Sequence, residues 1–66
     1  MIRPKTKKYI NYLASLMYGE SVEKVKPGLD FSIQRDLVMR VYYNMALVVY
    51  SAFKQDYSLL KYKVKI

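Results

Sequence analysis

Two short runs in this 66-residue chain set cations beside aromatic rings: Lys7-Lys8-Tyr9 and Lys61-Tyr62-Lys63. Lysine neutralises phosphate with release of counterions, and a tyrosine ring offers a face on which an unpaired base can stack. That is a chemistry of binding. The groups needed for bond-making are missing. With no cysteine and no histidine, zinc-finger ligation, imidazole general bases and Ser-His or Cys-His nucleophiles are excluded. The carboxylates are Glu20, Glu23, Asp30, Asp36 and Asp56, and no spacing among them enforces the convergence that acid–base or two-metal catalysis requires. Gly19 and Gly28 are the two glycines, too few for a phosphate-cradling loop. The expectation is a chain that is not an enzyme, with no cofactor, no metal and no small-molecule substrate.

The formal charge is +7, and its placement says more than its size. Arg3, Lys5, Lys7 and Lys8 fall in residues 1–8, and Lys61, Lys63 and Lys65 in the last six, with no acid in either stretch. Between Tyr9 and Leu60 five bases meet five acids, so the middle is neutral. Net charge bears on partners and solubility rather than on fold. The candidate nucleic-acid-binding set is therefore Arg3, Lys5, Lys7, Lys8, Lys61, Tyr62, Lys63 and Lys65, touching DNA or RNA phosphates without base preference. The blander account of the same lysines is solubility, since lysine also blocks edge-to-edge aggregation of a strand.

These residues need elements to position them. A chain this short forms one domain at most and buries only about 60% of its unfolded surface. At 100° per residue, Tyr9, Ile10, Tyr12, Leu13, Leu16 and Met17 share an arc and predict a short helix over about 7–18. Thr6 is the expected N-cap and Gly19 the residue that ends the helix, while Pro4 is expected to keep the opening segment irregular. A turn from Ser21 through Val25 is then closed by a Pro27-Gly28 connector. Pro27 comes too soon for this region to be a helix-turn-helix reader of bases. A long helix begins at Asp30 or Ser32 and runs over about 33–55, with Asp36 and Arg40 as an i, i+4 surface pair. In LLKYKVKI, Leu60, Tyr62, Val64 and Ile66 alternate with lysines, predicting an extended or β-like tail. The architecture is all-α or nearly so: one small helical domain, 1–66, with basic tails at 1–8 and 57–66.

LVMRVYYNMALVVYSAF, residues 37–53, is the most apolar stretch. Its apolar residues contribute roughly −2 to −4 kcal/mol to membrane insertion, against about +2.5 to +3.5 for Arg40 alone. Asn44, Ser51 and three tyrosines remain to be accommodated, so a membrane partner is not expected. On a helical wheel Asp36, Arg40, Asn44, Ser51 and Lys54 form a stripe only about 80° wide, the expected wet strip, and the remainder is apolar. The chain is too short to cover that much apolar flank, which predicts a homodimer or a subunit of a larger complex. The candidate interface is Val38, Val41, Tyr42, Met45, Val48, Val49, Ala52 and Phe53. The tyrosines, eight in all, suit such an interface.

Two functional classes follow. The first is a basic interaction module that contacts nucleic acid through its ends. The second is a protein-binding accessory or inhibitor of viral or phage type, or a structural subunit. It would dock through the apolar helix 33–55 or lend its C-terminal strand to a partner's sheet. Absence of cysteine and of a leader pattern fits an intracellular, cytoplasmic setting.

Overall fold

Pro4 starts a helix instead of preventing one. In the computed structural model, which describes residues 2–21 and 28–66, helix α1 runs Pro4–Ser21. Proline suits the first helical position, where its missing N–H would have no intrahelical partner and its fixed φ is already helical. The first backbone bond runs from the Lys7 amide to the Arg3 carbonyl at 2.9 Å. Thr6, expected as a cap, and Gly19, expected as a terminator, both lie inside α1. The turn expected through Val25, and Pro27 of the connector, fall outside the described residues. Gly28 does take the left-handed φ of +79° that glycine adopts at no steric cost.

The expected long helix is divided. Asp30 caps a 3-10 turn, Phe31–Ile33, and Asp36 caps helix α2, Leu37–Lys54, by accepting from the Val38 amide at 2.9 Å. With its carboxylate spent on the cap, Asp36 does not form the expected pair with Arg40, whose Nε donates to the Gln34 carbonyl. Both helices have 18 residues, so the short-and-long arrangement is corrected to two equal rods of about 27 Å. The β-like tail is corrected too. Tyr57–Tyr62 is a 3-10 segment capped by Asp56, residues 63–66 follow without regular structure, and the described residues contain no strand. Alternation alone could not make a strand where none was available to pair with it.

The helices lie antiparallel, with Tyr18 edge-on to Tyr42 (centroids 5.2 Å apart) at one end and Tyr9 edge-on to Tyr50 (5.5 Å) towards the other. α1 presents Ile10, Leu13, Ala14 and Met17, the i, i+3, i+4, i+7 set. Among the described residues the fully enclosed apolar side chains are Ile10, Ala14, Phe31, Tyr43, Ala46 and Leu47. Burial, and after it the charge of Asp30, pushes the Tyr43 phenol above its ordinary pKa. It therefore remains a neutral hydroxyl in the core.

The expected wet stripe of α2 is divided: Asp36 and Lys54 at its ends are exposed, whereas Asn44 and Ser51 in its middle turn towards the chain itself. Asn44 grips the tail, with Nδ2 donating to the Val64 carbonyl at 2.9 Å and Oδ1 accepting from the Val64 amide at 2.8 Å. Ser51 is fully buried and its hydroxyl has no hydrogen-bond partner among the described residues. The apolar arc meets solvent too.

α2 ends where its sequence pattern does. Gln55 adopts the left-handed conformation, φ 54° and ψ 34°. Its amide reaches the Ala52 carbonyl at 3.2 Å and the Asp56 amide reaches that of Ser51 at 3.0 Å, the two bonds of a Schellman ending. A side chain there is strained, so Gln55→Gly should stabilise the protein by about 1 kcal/mol. Ser51→Ala, which removes the unpaired hydroxyl, should contribute about 1 kcal/mol as well. Both are checked as a higher urea midpoint at unchanged m-value.

Candidate functional site

Because α1 and α2 are antiparallel, the start of α1 meets the end of α2, and the second 3-10 segment packs beside them. Two clefts share this end. One is lined by Lys5, Thr6, Tyr9, Tyr50, Phe53 and Lys54, the other by Ile2, Arg3, Thr6, Tyr50, Ser58, Leu59, Lys61 and Tyr62. Tyr50 and Thr6 belong to both, and around them stand four exposed cations: Arg3, Lys5, Lys54 and Lys61. The first turn of α1 has no acid, so the partial positive charge of its free amides adds to the same field. Asp56 is the acid nearest in sequence to this end, and its carboxylate accepts from the Ser58 amide and hydroxyl.

Aromatic rings hold two of these cations. Lys54 Nζ lies 5.9 Å from the Tyr50 centroid and 5.7 Å from that of Phe53, and Lys61 Nζ lies 5.3 Å from that of Tyr62. Cation–π attraction at such distances restrains a lysine without neutralising it. Tyr62 is itself half-buried against the core. With Lys61 over its ring, it leaves less surface for a stacked base than the sequence suggests.

The expected cations do not all converge. Arg3, Lys5 and Lys61 do. Lys7 turns to the opposite flank of α1 and pairs with Asp30 at 3.4 Å, and Lys8 lines a groove on that flank with Tyr12 and Leu29. Lys63 and Lys65 project from the tail on either side of the tethered Val64, both exposed. Lys54 was missed because it lies in the neutral middle of the sequence. The signal that finds it is topological: in an antiparallel hairpin the last turn of the second helix adjoins the first turn of the first.

Asp30 organises the other flank. It accepts from the Ser32 amide (3.0 Å), the Ser32 hydroxyl (2.6 Å) and Asn11 Nδ2 (3.2 Å), while Asn11 Oδ1 accepts from the Phe31 amide (2.8 Å). Burial alone would raise the Asp30 pKa. The bonds from Ser32 and Asn11, with the Lys7 charge, outweigh it and hold the carboxyl below its ordinary value. This cluster fastens the 3-10 turn to α1, a structural task.

The second surface is the outer face of α2. Leu37, Val38, Val41, Met45, Val48 and Val49 are all exposed, and Phe53 most of all at 74%; Ala52 is exposed among them. Seven of the eight expected interface residues therefore lie on it. Tyr42 does not, being half-buried and edge-on to Tyr18. The face itself contributes no charged side chain, although the Lys54 ammonium lies over the Phe53 ring at its end, and among the described residues no helix is long and apolar enough to cross a membrane. The chain matches no family model, and no match was found among curated proteins or solved structures.

Proposed function

We propose that this protein is a small non-enzymatic interaction module that holds nucleic-acid phosphates at its cationic end and associates with further protein through the outer face of α2. The observation that carries the first half is the convergence of Arg3, Lys5, Lys54 and Lys61 on one end of the hairpin. Arg3 and Lys5 are distant in sequence from Lys54 and Lys61, and the four cations have no ion-pair partner among the described residues. Four cations around the mouths of two shallow clefts suit phosphates of DNA or RNA backbone of any sequence.

Binding of a fluorescent oligonucleotide across a salt series tests this. Four phosphates neutralised give a slope of log K against log salt of about −3.6 on duplex and about −2.8 on single strands. Affinity should thus fall roughly 100-fold between 50 and 200 mM salt on duplex. Absence of binding at 50 mM, or affinity indifferent to salt, would reject the proposal.

A second function, a protein-docking subunit, is favoured by the uncharged outer face of α2. Docking by strand addition is less well supported, because the Val64 amide and carbonyl are already bonded to Asn44.

A further inference from the structure

The outer face of α2 has a register. Val38, Val41, Met45, Val48 and Ala52 follow one another at intervals of 3, 4, 3 and 4 residues, the spacing of a seam between two helices packed along their length. All five are exposed, and no polar residue interrupts them. With Leu37 and Val49 beside them, side chains of this size at about half exposure offer at most about 600 Å² per copy, against the roughly 800 Å² per partner of a standard interface. A symmetric pair would then bury about 1,200 Å², the lower bound of stable specific interfaces. A second copy of this chain meets that requirement. The seam is uncharged and asks for no complementary charge, and an isologous contact needs only self-complementarity.

Charge selects the orientation. Each copy concentrates its cations at the Lys54 end of α2. A parallel pair would set eight such cations side by side. An antiparallel pair separates the two clusters by about 27 Å, the length of α2 and well beyond the screening length of about 8–10 Å. The geometry points to a two-fold antiparallel dimer along Val38, Val41, Met45, Val48 and Ala52, with its cationic ends facing opposite ways. This inference rests on the self-association within the proposed function and adds the partner's identity, register and direction. Such a dimer can hold two phosphate tracts at once.

The chain has no cysteine, so single-cysteine variants have one thiol each to pair. Met45 lies near the two-fold axis, whereas the two copies of Val38 lie about 20 Å apart, far outside disulfide reach. Under mild oxidation Met45→Cys should form covalent dimers and Val38→Cys should not. Both reduced variants should weigh twice the chain mass by light scattering and keep wild-type helicity by circular dichroism. Cross-linking of both variants would overturn the antiparallel direction but leave self-association standing. A dimeric mass without cross-linking of Met45→Cys would overturn the seam. A folded monomer would overturn the dimer itself, while leaving salt-dependent binding at a single cationic end to be read on its own.

Discussion

Reversing Arg3, Lys5, Lys54 and Lys61 to glutamate should abolish binding to nucleic acid, with a loss of about 100-fold or more and loss of the salt slope of about −3.6 on duplex. The matched control reverses Lys7, Lys8, Lys63 and Lys65, which changes net charge by the same amount and should weaken binding far less. The contrast separates a site from a total. Lys7 is already paired with Asp30, Lys8 faces the other flank of α1, and Lys63 and Lys65 ride on a tail held to mid-α2 by Asn44. Long-range attraction by net charge alone would make the two quadruple variants equally poor. Within the first set Lys54→Glu is the informative single change, because the fold alone, and not the basic ends of the sequence, places it there. All four changed residues are exposed, so helicity should be retained.

Leu47→Asp and Val48→Asp, adjacent in sequence, should fail in different ways. Leu47 is fully enclosed. A carboxylate there has no partner, and its desolvation outweighs the roughly 3–5 kcal/mol that a core of this size supplies. Loss of the helical circular dichroism signal is expected. Val48 is 42% exposed and lies on the outer face. A charge there costs the single hairpin little and breaks any contact made across the seam, so helicity should persist while the mass falls to that of one chain. Should Val48→Asp unfold the protein, the hairpin has no fold of its own and the seam is part of the core.

The composition of the helices was legible in the sequence and their ends were not. Ile10, Leu13 and Met17 showed the buried stripe of α1 through their spacing. Pro4 was misread because proline's effect depends on position: it blocks a helix interior and favours a helix start. Asp30, Ser32 and Asp36 each suit a helix start, and only the fold distributes them, with Asp30 and Ser32 in the 3-10 turn and Asp36 on α2. The tail misled because lysine alternation describes which side is wet and not which backbone bonds are made. Those went to Asn44, 20 residues from Val64 in sequence.

The candidate site divided in the same way. The basic ends were evident from composition, but their meeting is a product of antiparallel packing, and so is the recruitment of Lys54 and Tyr50. On α2 the wheel identified the apolar flank that the chain leaves uncovered, but it placed Asn44 and Ser51 in water. A narrow polar stripe ordinarily meets water. Here Asn44 supplies bonds to the chain's own tail, so the middle of the stripe turns inward while Asp36 and Lys54 at its ends stay exposed. A sequence reading has no access to that choice, because Val64 offers its amide and carbonyl only once the tail has turned back along α2.

The proposed module has the outward apolar face of α2 covered by protein in solution. Light scattering on the purified wild-type chain, from micromolar upward at moderate salt, tests it directly. The expected mass is twice the 7.8 kDa of one chain, with cooperative thermal unfolding whose midpoint rises with concentration. A single-chain mass with cooperative, concentration-independent unfolding would contradict it.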